Sequence, residues 1–286
     1  MAKKALMIRN LIIFALCFLS FNSVSAVSIS PQQVLQGEAV RITLDEASSP
    51  ADILKATFNG KAVPVFSYQR SVIAVIGIDL NQKPGSYDFT ARLKNGTIIT
   101  QPVAVIERER PHEELGVPQK LGGNTPQAQT AVVSSLASEN TVLARLYTGY
   151  KAFWTVPFQY PLKDASVTDP YGFERQTGQY VISHKGTDFH APVGTPVLAM
   201  NRGVVRLART FRIYGKTVVV DHGLGIMTFY MHLSKIKVNQ GQLVLPGQVV
   251  GLSGETGYAE APHLHLSVRV GNISIDPMQF MQLFGK

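Results

Sequence analysis

Cysteine is almost absent: Cys17 is the one thiol in 286 residues. It sits inside an N-terminal apolar segment, so a disulfide framework and cysteine catalysis are excluded for everything downstream. Leu16 before it is too bulky for a lipid-modification signal at that cysteine. Charge is sparse as well, 16% against 45% apolar residues, a balance that excludes global disorder and can bury a real core. The formal charge of +8 is scattered along the chain. With no basic helix and no interleaving of basic and aromatic residues, no nucleic-acid partner is expected. A modest positive excess favours contact with anionic envelope polymers but singles out none of them.

The apolar run Leu11–Phe21 is too short for a comfortable membrane span. With Lys3, Lys4 and Arg9 before it and Val24-Ser25-Ala26 after it, residues 1–26 read as a secretory signal cleaved after Ala26. An uncleaved anchor is the other reading. The expectation is an exported protein of the periplasm or cell envelope, or a secreted one, with no stable membrane insertion after cleavage.

From Val27 to Glu109 the text alternates strand and turn. Ala39–Leu44, Val72–Ile76 and Tyr87–Ala91 are strand-like runs, and Asn59-Gly60 and Asn95-Gly96 are hairpin turns between apolar runs. Short strands at this spacing predict an immunoglobulin-like β-sandwich over 27–109. Residues 110–157 form a linker containing a helix, with Thr125 as its cap and Pro126 in its first turn. Val132, Val133, Leu136, Leu143 and Leu146 give that segment an apolar face. From 158 to 286 the chain is β-rich again, with strands expected at 196–200, 204–208, 217–221, 226–232, 249–252 and 263–270. The fold class is therefore mainly β, ending in an antiparallel β domain with an open groove.

Six of the seven histidines lie beyond residue 180. His184 and Asp188 bracket Gly186 and can reach one ion if the chain turns between them; imidazole and carboxylate are ordinary zinc ligands. In His263-Leu264-His265 the two imidazoles share one strand face with Ser267 and Arg269, while Leu264, Leu266, Val268 and Val270 share the other. A third pattern, Tyr230-Met231-His232-Leu233, ends another strand.

His-x-x-x-Asp, Tyr-x-His-Leu and His-x-His, in that order, resemble the lysostaphin/LytM-type zinc endopeptidases of peptidoglycan. Gly186-Thr187-Asp188-Phe189, Ala191–Pro196, Asp221-His222-Gly223 and Gly254–Gly257 match as well. The resemblance covers about 160 to 280. It implies that His184, Asp188 and His265 bind one Zn²⁺, and that His263 and His232 are the catalytic histidines. Three protein ligands leave a fourth position open, the mark of a catalytic zinc. There is no His-Glu-x-x-His, so His263 is the first choice of general base and His232 the second; the other would bond the oxyanion or the leaving amine.

The implied substrate is the stem peptides or peptide cross-links of peptidoglycan. Two alternatives are a catalytically silent module that binds wall or activates a hydrolase, and a peptidase of secreted glycine-rich proteins. His222 and His190 read as structural and His112 as solvated. Tyr230 reads as bracing the cleft, and Phe173, Glu174 and Arg175 as near substrate. The N-terminal region would either target the enzyme or cover its cleft, the segment 119–150 being the motive for the second reading.

Overall fold

A computed structural model describes residues 27–285. The expected signal segment 1–26, with Cys17, lies outside the described residues. Strand accounts for 45% and helix for 13%, in line with a mainly β chain.

In the N-terminal part a four-stranded sheet runs in the order Val27–Ser30, Ala39–Leu44, Ser71–Gly77, Val65–Tyr68. A five-stranded sheet runs Gln33–Leu35, Ile98–Ile106, Gly85–Leu93, Ile53–Phe58, Lys61–Ala62. Val40, Ile42, Leu44, Phe89, Ala91 and Val103 fill the space between them. Asn59 and Gly60 both take positive φ, 46° and 75°, as the two-residue hairpin between Phe58 and Lys61 requires. At Asn95-Gly96 only Gly96 does so; the Asn95 carboxamide accepts from the Thr97 amide, and the loop is longer.

Ser71–Gly77 explains its own nearly unbroken apolar text. Val72, Ala74 and Ile76 face the N-terminal core, while Ile73 and Val75 join Ala39, Phe66 and Tyr68 in the core of the C-terminal part. Trp154 is the hub of this seam, with ring centroids 4.6 Å from Tyr68, 5.2 Å from Phe158 and 5.7 Å from Phe66 and Phe284. Full burial of each such side chain contributes about 1.5–3 kcal/mol, so the two β parts are fastened together. The Gln279 carboxamide pairs with both the N–H and the C=O of Ala39, at 2.9 Å each. Arg108 bonds Asp276 at 3.1 Å.

The C-terminal part is built on one antiparallel sheet ordered Val167–Asp169, Thr187–His190, His263–Val270, Ile226–Leu233, Lys216–Gly223, Gly203–Thr210, Leu243–Val244, with Ile273–Ile275 beside His263–Val270. Leu264, Leu266, Val268 and Val270 enter the main core, as their alternation predicts. The other face is covered too. Met227, Phe229 and Met231 meet Leu143 there, and the Arg269 guanidinium stacks 4.5 Å from the Phe229 ring.

Leu143 belongs to α1 (Pro126–Ala144), which starts where its text says: the Thr125 hydroxyl accepts from the Ala128 amide at 3.2 Å and Pro126 occupies the first turn. Its buried residues are Ala128, Val132, Glu139 and Leu143, so a carboxylate stands in the middle of the apolar stripe. Before α1, His112–Glu114 pairs in parallel with Glu174–Gln176. A second helix, α2 (Pro277–Phe284), capped by Asp276, closes the chain.

Candidate metal centre

The site forms where three elements meet on the α1 side of the main sheet. Register sets Asp188 directly opposite His265, and His190 opposite His263. His184 precedes this strand, its backbone locked by bonds from its N–H to Phe173 O (2.7 Å) and to its C=O from Gly172 N–H (2.9 Å). Gly186 lets the turn close: a Cβ there would lie 2.3 Å from His265 Nε2 and 2.7 Å from Leu266 O. The requirement is for space, since this glycine does not have positive φ.

Hydrogen bonds fix which nitrogen of each imidazole faces the centre. His184 Nδ1–H donates to Pro170 O at 2.9 Å, leaving the Nε2 lone pair inward. For His265 the pattern is reversed. Ser267 Oγ donates to Lys185 O (2.9 Å) and so accepts from His265 Nε2–H (3.0 Å), leaving Nδ1 inward. His184 Nε2, His265 Nδ1 and Asp188 Oδ1 then lie 3.1, 2.7 and 3.2 Å apart.

Two imidazole lone pairs and a carboxylate oxygen this close repel one another unless a cation lies among them. Donors around a tetrahedral zinc, at about 2.0–2.1 Å from the metal, stand about 3.3 Å apart, near the spacing here. These three are the one His/Asp group able to hold a metal among the described residues. Burial opposes ionisation of Asp188, but His184 and His265, when protonated, outweigh it and hold the carboxyl well below the usual range. Burial lowers His265 to about 4 against the pull of Asp188. Both groups are thus in the deprotonated state that metal ligation needs.

Two further imidazoles stand alongside. His263 Nδ1–H donates to Ala261 O and His232 Nδ1–H to Thr256 O, both at 2.8 Å, so each presents a free Nε2. Their rings are 4.8 Å apart, and His263 Nε2 is 3.8 Å from Asp188 Oδ1. His232 reaches this face only through a backbone irregularity. Strict alternation would turn it inward with Thr228 and Tyr230. Instead Met231 and His232 together oppose Thr217, a bulge between the pairs Lys216–Leu233 and Val218–Tyr230, and His232 has φ 60°. Burial holds this imidazole well below its usual pKa, aided by its neighbours His263 and His265. A β-carbon in the left-handed region costs about 1–2 kcal/mol. Metal-free His232→Gly is therefore expected to be more stable than His232→Ala by about 1 kcal/mol in urea unfolding; equal midpoints would refute the strain.

Arg175, expected near substrate, lines the cavity and also has a role that the sequence does not announce. Its Nη2 bonds Asp188 Oδ2 at 2.8 Å and Asp169 Oδ2 at 3.2 Å, so only Oδ1 of Asp188 faces the imidazoles. Outer partners of metal ligands are worth about 10–100-fold in affinity, so Arg175→Ala should weaken zinc binding by that factor in a chelator competition. Unchanged affinity would reduce Arg175 to surface packing. Of its neighbours, Phe173 supports His184 through its carbonyl and Glu174 lies 3.7 Å from Arg110.

The remaining candidates are structural. His222 is fully buried, bonded to Arg202 O and Thr228 Oγ1 at 2.9 Å each, and burial lowers it to about 4. Tyr230 lies in the core on the opposite face of the sheet, its oxygen accepting from Met200 N–H, and does not line the cleft. His190 and His112 are exposed.

The groove above the site is overhung rather than open. A cavity of about 590 Å³ separates Val133, Leu136 and Asn140 of α1 from His184, His232 and His265.

Residues 182–277 match the profile of Peptidase family M23. Over 129 residues the chain is 41% identical to the peptidoglycan DD-endopeptidase ShyA of Vibrio cholerae, a stretch covering 45% of this chain and 30% of that one. Over 119 residues it is 34% identical to the DD-carboxypeptidase/endopeptidase Mpg of Neisseria meningitidis, covering 41% and 27%. The chain thus spans under a third of the length of these curated relatives. A solved structure from Pseudomonas aeruginosa assigned to peptidase M23 superposes with a TM-score of 0.64 at 29% identity, covering 87% of this chain and 95% of that one. The C-terminal part of this chain is therefore a LytM-type domain of Peptidase family M23, a family of zinc metallopeptidases.

Proposed function

We propose that the chain is a zinc-dependent endopeptidase that hydrolyses peptide cross-links or stem peptides of bacterial peptidoglycan. One observation carries the chemistry: two inward imidazole lone pairs of fixed tautomer beside one carboxylate oxygen, flanked by two imidazoles whose Nε2 atoms are free. His184, Asp188 and His265 would hold the zinc, which supplies Lewis acidity toward the scissile carbonyl and water. His263 is assigned as the general base: its Nε2 is 3.8 Å from Asp188 Oδ1 and its side chain keeps 17% exposure, whereas His232 is buried. His232, neutral and anchored on Thr256 O, is left to bond the oxyanion or the leaving amine.

The substrate class rests on the relatives, ShyA being named a peptidoglycan DD-endopeptidase and Mpg a DD-carboxypeptidase/endopeptidase. An envelope setting goes with it: export through the 1–26 signal, then action in the periplasm or at the wall. The division into an immunoglobulin-like sandwich at 27–109, a helical linker at 110–157 and a peptidase domain at 158–286 belongs to the same reading. A silent wall-binding or hydrolase-activating module is disfavoured by the full set of ligands and flanking histidines.

Digestion of purified sacculi beside a glycine-rich peptide separates the substrate readings. Soluble muropeptides from sacculi, lost on chelation and restored by zinc, are the expected result. Cleavage of the glycine-rich peptide alone would transfer the activity to secreted proteins.

A further inference from the structure

The Glu139 carboxylate, 7% exposed, has no Lys, Arg or His partner within ion-pair distance among the described residues. Its charge is met by backbone alone. Oε1 accepts from Arg212 N–H (2.8 Å) and Ile213 N–H (2.9 Å), and Oε2 from Ile213 N–H (3.2 Å) and Tyr214 N–H (3.1 Å). Three successive amides aimed at one point form an anion-binding nest.

This nest belongs to the site rather than to the helix. Tyr214 O accepts from His232 N–H at 3.0 Å, Ile213 O accepts from Tyr258 N–H at 2.7 Å, and Ile213 and Tyr214 line the cavity that holds His232 and His265. An apolar residue at 139 would continue the stripe of Val132 and Leu143 but leave the three amides without an acceptor, so this turn calls for an anion or another acceptor whether or not α1 lies over it. α1, which runs between Gly122-Gly123 and the coil after Arg145, roofs this cavity of about 590 Å³, so widening the cleft for a cross-linked peptide would lift α1 away. Glu139 then leaves the nest.

We propose that the 212–214 amides are a carboxylate-binding subsite of the cleft. Glu139 occupies it in the resting chain, and a free carboxylate of the peptide substrate takes it when α1 lifts. The inference rests on the peptidase reading above for the identity of its ligand. A tethered Glu139 competes at an effective concentration on the order of millimolar, so a weakly held acid would not displace it unaided.

The test is an NMR titration of the zinc-loaded full chain, followed at the Arg212, Ile213 and Tyr214 amides, with N-acetyl-D-alanyl-D-alanine and its C-terminal amide as probes. In Glu139→Ala the acid should shift these amides and bind at least ten-fold more tightly than the amide form. It should also bind at least ten-fold more tightly to Glu139→Ala than to wild type. Glu139→Gln keeps the side chain's shape, guards against misfolding, and should likewise bind the acid better than wild type does. Equal binding of acid and amide, or shifts confined to the His184 and His265 imidazoles, would overturn the subsite. Acid-selective shifts at 212–214 without release of muropeptides by any variant would uphold the subsite and overturn the peptidase reading.

Discussion

Gly186→Ala is expected to abolish zinc binding in a chain that still folds. The added methyl would stand 2.3 Å from His265 Nε2 and 2.7 Å from Leu266 O, and the carbonyl cannot yield without breaking the pairing between Thr187–His190 and His263–Val270. The imidazole must move instead. Doing so costs the Ser267 bond that fixes its tautomer and turns Nδ1 away from Asp188. Losing one of three ligands should weaken the metal by more than about 100-fold, beyond the range for an outer partner. Metal analysis after dialysis, with circular dichroism as the check on folding, reads this directly. Zinc retained at wild-type level would mean that the strands can slide and that Gly186 is incidental.

The second large effect separates ligand from catalyst. His265→Ala should lose zinc and turnover together. His263→Ala should keep zinc and lose about 10²–10⁴-fold in kcat, the contribution of a positioned general base. The difference follows from geometry: His265 Nδ1 is 2.7 Å from Asp188 Oδ1 with its other nitrogen pinned, while His263 Nε2 stands 3.8 Å away on a side chain that keeps 17% exposure. Loss of metal from His263→Ala would make His263 a ligand and overturn the assignment.

Much of this was legible in sequence for a physical reason. Period-two alternation in His263–Val270 states outright which side chains share a face, and the strand obeys it on both faces. Thr125-Pro126 announces the start of α1, and the stripe Val132, Leu143 announces its buried side. The His184, Asp188, His265 group came from motif order, since nothing local places residues so far apart in one pocket.

What alternation cannot encode is its own exception. Pattern alone turns His232 toward Tyr230 and the core, and only the bulge opposite Thr217 with φ 60° brings it to the site. Arg175 reads as a loop residue near substrate, and its bond to Asp188 is not legible because the carboxylate it holds is brought to it by the fold. Glu139 goes unremarked in the sequence, because its partners are amides, which carry no side-chain signature. The fold class reads as an open groove while the segment 119–150 motivates the reading of a cover, and α1, inside that segment, lines the cavity opposite the imidazoles.

The central claim is that the chain is a zinc peptidase of peptidoglycan. It is tested most directly by measuring zinc content and muropeptide release in the same preparation of the mature chain. The account predicts about one zinc per chain and soluble peptide-cleaved fragments from purified sacculi, with His263→Ala carrying the same zinc and releasing none. A chain that binds no zinc and releases no fragments would contradict it and leave a regulatory binding module in its place.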